Sequence, residues 1–187
     1  MANASPVRAA RFLSEPNVTM SSTAIIAQLG LEPHLEGGYF RRSYTAAHSI
    51  NGRAAMSSIY YLLSGDSPVG HLHRNRSDIL HFWQGGKPLH YTLVSPNGEV
   101  SHPIMGPNIA EGELLQMLVP GGYWKASELK ANRLASSDYG LISEAVCPGF
   151  DFADHELASA AQIQRDYPQH WPELAHLISP SDHDNKQ

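Results

Sequence analysis

Residues 65–85 read GDSPVGHLHRNRSDILHFWQG, and this stretch decides the fold. His71 and His73 are one residue apart, and side chains of a strand alternate between its two faces, so the pair is predicted to face the same side. Asp78 follows across a turn, and a glycine at each end marks a bend. The stretch therefore predicts nitrogen and oxygen donors that converge inside a small β-barrel, for a metal ion or for acid–base chemistry on a ligand.

The spacing resembles the first signature of the cupin superfamily: glycine, five residues, H-x-H, an acidic residue after three or four more, and glycine after another six. Asp78 stands where glutamate is usual in that signature. The second cupin signature is half present, because Pro120 and the two glycines after it supply its turn. Lys125 stands at its histidine position and Leu129 at its asparagine position.

Further phrases resemble one subgroup of cupins of unassigned function, often described as sugar-epimerase-like. They are EGGYFR at 36–41, SIYYLL at 58–63, HR at 73–74 before SD at 77–78, VPGGYW at 119–124 and PGFDF at 148–152. The resemblance covers roughly residues 22–160. It implies an all-β cupin double-stranded β-helix, or jelly-roll barrel, with a short N-terminal helix and a C-terminal helical segment.

The pattern along the chain predicts one cupin domain at residues 21–178, a disordered N-terminal arm at 1–20 and a disordered tail at 179–187. About nine short strands with turns between them favour a jelly roll. Ser22 or Thr23 is expected to cap a helix that ends at Gly30. Pro96-Asn97-Gly98 predicts a hairpin, and a second helix is expected from Ala153 to Arg165.

Composition narrows the function classes for this chain of 187 residues. A charged fraction of 17% and a formal net charge of −5 argue against a nucleic-acid-binding surface, which needs clustered lysine and arginine. No apolar run approaches the length that crosses a membrane. The lone Cys147 is typical of a reducing compartment, so a cytoplasmic protein is expected.

Two alignments of the acidic position give different metal sites. Counting back from the last glycine selects Asp78, so that His71, His73 and Asp78 would bind a divalent metal. The subgroup's S-D-E phrase selects Ile79 instead, and His81 and Trp83 would then share the inward face with it. Because catalytic metal sites usually have three protein ligands and Lys125 replaces the last histidine, we expect no tightly held transition metal.

The resemblance to sugar-nucleotide epimerases implies catalysis without metal, by a histidine base and a tyrosine acid. His73, beside His71, is then the candidate base, with a pKa near the working pH. Tyr60, Tyr39 or Tyr123 would be the acid. An isomerase, epimerase or lyase acting on a carbohydrate or nucleotide-linked sugar is the first hypothesis; a non-catalytic metabolite-binding module and a metal-dependent cupin enzyme are the alternatives.

The ligand is expected to be a small anion such as a nucleotide or a sugar phosphate. Arg41, Arg74 and Lys125 would converge on the barrel mouth and bind its charge. Further candidate contacts are Gln116, His81, Asp78, Tyr39, either Trp124 or Lys125 as the inward member of that pair, and Phe150 and Phe152 as stacking surfaces. A homodimer is expected, with residues 31–44 at or near the interface.

Overall fold

Two antiparallel sheets face each other and enclose the main core. The structure is a computed structural model and describes residues 20–130 and 133–180. With strands numbered along the chain, the first sheet has the order β1 (Glu32–Pro33), β2 (Tyr39–Thr45), β5 (Ser57–Ser64), β13 (Tyr139–Cys147), β7 (Asp78–Gly86) and β11 (Gln116–Val119). The second has the order β10 (Ile104–Met105), β8 (Leu89–Val94), β12 (Trp124–Leu129), β6 (Val69–Asn75) and β14 (His155–Leu157), with β9 (Val100–Ser101) beside β8. A separate hairpin joins β3 (Ser49–Ile50) to β4 (Arg53–Ala54). The predicted jelly-roll barrel is confirmed.

Alternating side chains divide each sheet into an inner and an outer face. Inner side chains of both sheets, among them Tyr61, Tyr91 and Ile142, form the main core. Leu72 and Trp124 point away from that core and pack under the C-terminal helical segment. Leu62 packs on the outside of the first sheet against the N-terminal helix.

The helices differ from the sequence prediction at their starts. Helix α1 (Ser22–Leu29) ends at Gly30 as predicted, but its N-cap is Ser21, whose hydroxyl accepts a hydrogen bond from the Ala24 amide. Helix α2 (Ala160–Asp166) begins seven residues later than predicted, because the preceding residues pair with β6 as β14. Helix α3 (Trp171–Leu174) follows, and 3-10 turns occupy Ile109–Glu111, Phe152–Asp154, Pro168–His170 and Ala175–Leu177.

The predicted hairpin is confirmed: the Ser95 amide donates to the Glu99 carbonyl at 2.9 Å, and Gly98 has φ of 84°. The predicted N-terminal arm and C-terminal tail lie outside the described residues, apart from residue 20 and residues 179–180. Among the described helices, none is long and apolar enough to cross a membrane. The homodimer stays a prediction; its expected interface contains the edge strand β1 and the exposed Leu35.

Candidate functional site

A β-bulge separates the two histidines of the H-x-H pair. Lys125 pairs with His73 and Ser127 with Gly70, so β6 advances three residues while β12 advances two. The extra residue breaks the alternation of side chains on β6. His73 faces the barrel interior, whereas the ring of His71 lies against the backbone of Leu177. The prediction that both imidazoles meet at one site is therefore wrong.

The predicted metal ligands do not converge. Asp78 is exposed at the start of β7, where its Oδ1 accepts a hydrogen bond from the Gly121 amide at 2.8 Å and so fixes a turn. Ile79 and His81 are buried, which is the alternative register. In the described part of the chain, no group of three or more His, Cys, Asp or Glu side chains is arranged to hold a metal. A metal therefore does not fit the set His71, His73 and Asp78.

A buried carboxylate, Glu36, is contacted by three imidazoles. Its Oε1 lies 2.6 Å from His155 Nε2. Its Oε2 lies 3.2 Å from His73 Nε2 and 3.3 Å from His34 Nδ1. Burial alone would raise the pKa of Glu36, but the surrounding imidazoles hold that pKa well below its usual value. Glu36 is therefore ionised at neutral pH.

The turn that carries Glu36 requires glycine. Gly37 and Gly38 have φ of 95° and 67°, which is left-handed backbone that favours glycine. The Glu36 carbonyl accepts a hydrogen bond from the His71 amide at 2.6 Å, which ties the turn to β6. The two glycines thus shape a turn, and that turn places the carboxylate.

His73 is a weak base in this setting. It is 6% exposed, and its Nδ1 donates to the His71 carbonyl at 2.7 Å. Burial lowers the pKa of His73 to about 3, although the nearby Glu36 carboxylate opposes that shift. With Nδ1 bonded to that carbonyl, the Nε2 of a neutral ring turns its lone pair toward Glu36 Oε2 at 3.2 Å, so the contact attracts the carboxylate only when the ring is protonated. This pKa lies well below the value near working pH that was expected, while the role of His73 as the base stays a prediction.

A cavity of about 490 Å³ opens beside the Glu36 cluster. Its walls are mostly apolar, and the residues that line it are His34, Phe40, Arg42, Ile59, Val146, Phe150, Asp151 and Phe152. The His34 side chain is 9% exposed and packs edge-on against Phe40, with ring centroids 4.4 Å apart. His34 therefore lies between the cavity and the Glu36 carboxylate. The predicted stacking residues, Phe150 and Phe152, do line this cavity.

Lys125 belongs to a second buried cluster. Its Nζ lies 3.3 Å from Glu144 Oε1 and 3.3 Å from His81 Nε2. Burial and Lys125 hold the pKa of His81 well below its usual value, so the neutral ring accepts at Nε2. Its Nδ1 then donates toward Glu144 at 3.3 Å or the Tyr91 hydroxyl at 3.2 Å. Lys125 faces inward and Trp124 outward, but the partner of Lys125 is a carboxylate of its own chain.

Three predicted site residues on the first sheet face away from the cavity. Phe40 and Arg42 line the cavity from β2, so Tyr39 and Arg41 lie on the other face of the strand by alternation. Arg41 lies over the ring of Tyr60 at 5.9 Å, outside the barrel. The structure therefore does not bring Tyr60, Tyr39 and Arg41 to the cavity.

The remaining predicted ligand residues also lie elsewhere. Arg74 stacks over Trp124 at 4.4 Å and its Nε bonds Glu156 at 2.7 Å, outside the second sheet. Gln116 is exposed on the edge strand β11, and its neighbour Met117 is the inward residue. These residues do not converge with the cavity, because each lies on the opposite face of its strand.

Sequence reasoning assigned no role to His34, Glu36 or His155. Glu36 stands in the EGGYFR phrase, which was the one available signal. His155 is 119 residues from Glu36, and only folding brings the two together. Arg42 follows the predicted Arg41. Because neighbouring residues of a strand face opposite sides, only one of the two arginines can line the cavity, and it is Arg42.

Comparison with known proteins places the chain in a family. Residues 23–158 match the family model described as Cupin superfamily (DUF985). An uncharacterized protein of Saccharomyces cerevisiae is 36% identical over 180 residues, which cover 88% of this chain and 84% of that protein. A hypothetical protein from Leishmania major superposes with a TM-score of 0.79 at 32% identity, over 84% of this chain and 98% of that one. A protein from Shewanella oneidensis superposes with a TM-score of 0.76 at 34% identity, over 86% and 98%. The chain belongs to the cupin superfamily.

Proposed function

We propose that this cupin binds a small anionic molecule in the cavity and moves a proton on it, as an isomerase or epimerase does. The observation that carries the proposal is His34, a cavity-lining imidazole 3.3 Å from the ionised Glu36 carboxylate. A carboxylate that binds one ring nitrogen orients the imidazole and selects its tautomer. His34 takes the role of base that the sequence suggested for His73.

The carboxylate favours a proton on His34 Nδ1. The Glu36 amide also lies 3.4 Å from Nδ1 and would favour the opposite tautomer. The charge-assisted contact is the stronger of the two, so Nε2 carries the lone pair. In the reaction, a C–H bond next to a carbonyl breaks, its proton passes to Nε2 and its electron pair moves onto the carbonyl oxygen. The resulting enolate re-forms the carbonyl when it takes a proton back at the same carbon, which exchanges that hydrogen with solvent and allows the configuration of the carbon to invert; general-base catalysis of this kind contributes about 10²–10⁴ in rate.

A non-catalytic binding module is the second candidate. The second buried cluster favours it. The Nζ of Lys125 contacts Glu144 and His81 of its own chain and is therefore not directed at a ligand. This cluster would then stabilise the barrel and would not provide a catalytic acid to act together with His34.

Hydrogen exchange separates the two candidates. The purified protein is incubated in D₂O with small aldehydes and ketones that carry a carboxylate or a phosphate, and NMR follows the protons next to each carbonyl. We expect deuterium incorporation by the wild type and by Arg41→Gln, the control on the outer face, and its loss in His34→Gln. Binding without exchange in the wild type would identify a binding module and overturn the proposal.

A further inference from the structure

We infer that the cavity takes an apolar molecule with a single carboxylate, rather than a nucleotide or a nucleotide-linked sugar. The inference rests on the proposed function, since it names the ligand class of the same site. It comes from the walls of the cavity and from the charges at its mouth.

The walls offer little to a hydroxyl-rich ligand. Five of the eight lining residues are apolar, namely Phe40, Ile59, Val146, Phe150 and Phe152. Polar groups of a ligand that lose water need hydrogen-bond partners, and buried groups without one are costly. Sugar hydroxyls would meet aromatic and aliphatic carbon on these walls, whereas an alkyl or aryl body would gain from its burial.

Among the described residues that line the cavity, Arg42 is the cation, and it has no carboxylate partner. The Arg42 guanidinium lies 5.4 Å from the centre of the Phe150 ring, which orients it on the cavity wall. Most of the described arginines, namely Arg53, Arg74, Arg76 and Arg165, pair with a carboxylate, whereas Arg42 has none within 4.0 Å. A planar guanidinium fork matches the two oxygens of a carboxylate.

A carboxylate also lines the same mouth. Asp151 accepts a hydrogen bond from the Ala153 amide at 2.9 Å through Oδ1 and borders the cavity. Its negative charge opposes a second anionic group, and a diphosphate carries more charge than Arg42 alone balances. A monocarboxylate bound by Arg42 would extend its apolar body between the phenyl rings toward His34.

Calorimetric titration with matched probes tests this ligand class. Phenylacetate, its neutral analogue phenylacetamide, a sugar phosphate and a uridine diphosphate sugar are titrated into wild type, Arg42→Gln and Arg41→Gln. We expect phenylacetate to bind at least about tenfold more tightly than the amide in wild type and in Arg41→Gln. In Arg42→Gln the difference should fall to within about twofold, because the charge partner is gone.

Four results would overturn the ligand class. They are equal binding of acid and amide by the wild type, an acid preference that survives in Arg42→Gln, tighter binding of the sugar phosphate or the nucleotide sugar, and no carboxylate binding at millimolar concentration. The deuterium-exchange experiment tests proton transfer separately from the ligand class. Carboxylate-selective binding without deuterium exchange into any keto acid would refute proton transfer but support the ligand class. Deuterium exchange into a sugar phosphate would support proton transfer but refute the ligand class.

Discussion

His34 Nδ1 lies 3.3 Å from Glu36 Oε2, and this contact connects the apolar cavity to a carboxylate buried in the barrel. The two residues are held by the turn between β1 and β2, which also contains Gly37. The chemistry proposed for the cavity therefore depends on the geometry of one turn.

Gly37→Ala should lower the free energy of unfolding more than the control Gly52→Ala. An added Cβ at Gly37 would lie 2.2 Å from the Val69 carbonyl oxygen, on backbone with φ of 95°. Gly52 has φ of 80° but no atom within 4 Å of an added Cβ, so it reports the cost of the backbone conformation alone. That cost is about 1–3 kcal/mol, and urea unfolding of both variants measures the excess at Gly37. Equal losses would show that the turn yields and does not fix Glu36.

Lys125→Met should destabilise the protein by about 3–5 kcal/mol, because it leaves the buried Glu144 without its cation. Glu144 and Lys125 are 3.3 Å apart and both are buried. The double variant Lys125→Met, Glu144→Gln should recover much of the loss. A double-mutant cycle from urea unfolding measures the coupling, and additive losses would contradict the assignment of Lys125 as an internal ion-pair partner.

The stability of the protein should fall between pH 6.5 and 4.5, in part because of His73. Burial lowers the pKa of His73 from 6.5 to about 3, so the unfolded chain binds a proton in this range while the folded protein does not. The contribution is complete above pH 6.5 and is lost at about 1.4 kcal/mol per pH unit as the pH falls.

His73→Gln isolates this contribution from other groups. The raised pKa of Glu144 acts in the opposite direction above pH 4.5, and it is present in both proteins. The variant's unfolding free energy, measured by urea at several pH values, should change less steeply by about 1.4 kcal/mol per pH unit. Parallel pH profiles for the two proteins would show that His73 already carries a proton in the folded state.

The fold was predictable from the sequence because the cupin spacing and the turn signals are local. The hairpin at Pro96-Asn97-Gly98 needs only its own residues, and the end of α1 needs only Gly30. The second helix was placed too early, because the pairing of β14 with β6 is a tertiary contact that helical periodicity does not contain.

The site was less predictable, because the facing of side chains depends on register. One β-bulge on β6 turns His71 away from His73, and the H-x-H pattern does not predict that bulge. On β2 the choice between Arg41 and Arg42 is a shift of one residue, which reverses the face. The Glu36 cluster joins residues that are distant along the chain, so a single sequence does not show it.

The central claim is that Glu36 positions His34 for proton transfer, and the most direct measurement compares exchange rate with affinity in Glu36→Gln. The glutamine keeps the shape of the side chain but removes its charge. We predict that Glu36→Gln and His34→Gln slow deuterium exchange into the bound keto acid by about 10²–10⁴, while the Kd of each stays within about threefold of wild type. Arg41→Gln should keep both values. An exchange rate in Glu36→Gln equal to wild type, or a loss of rate matched by an equal loss of affinity, would contradict the account.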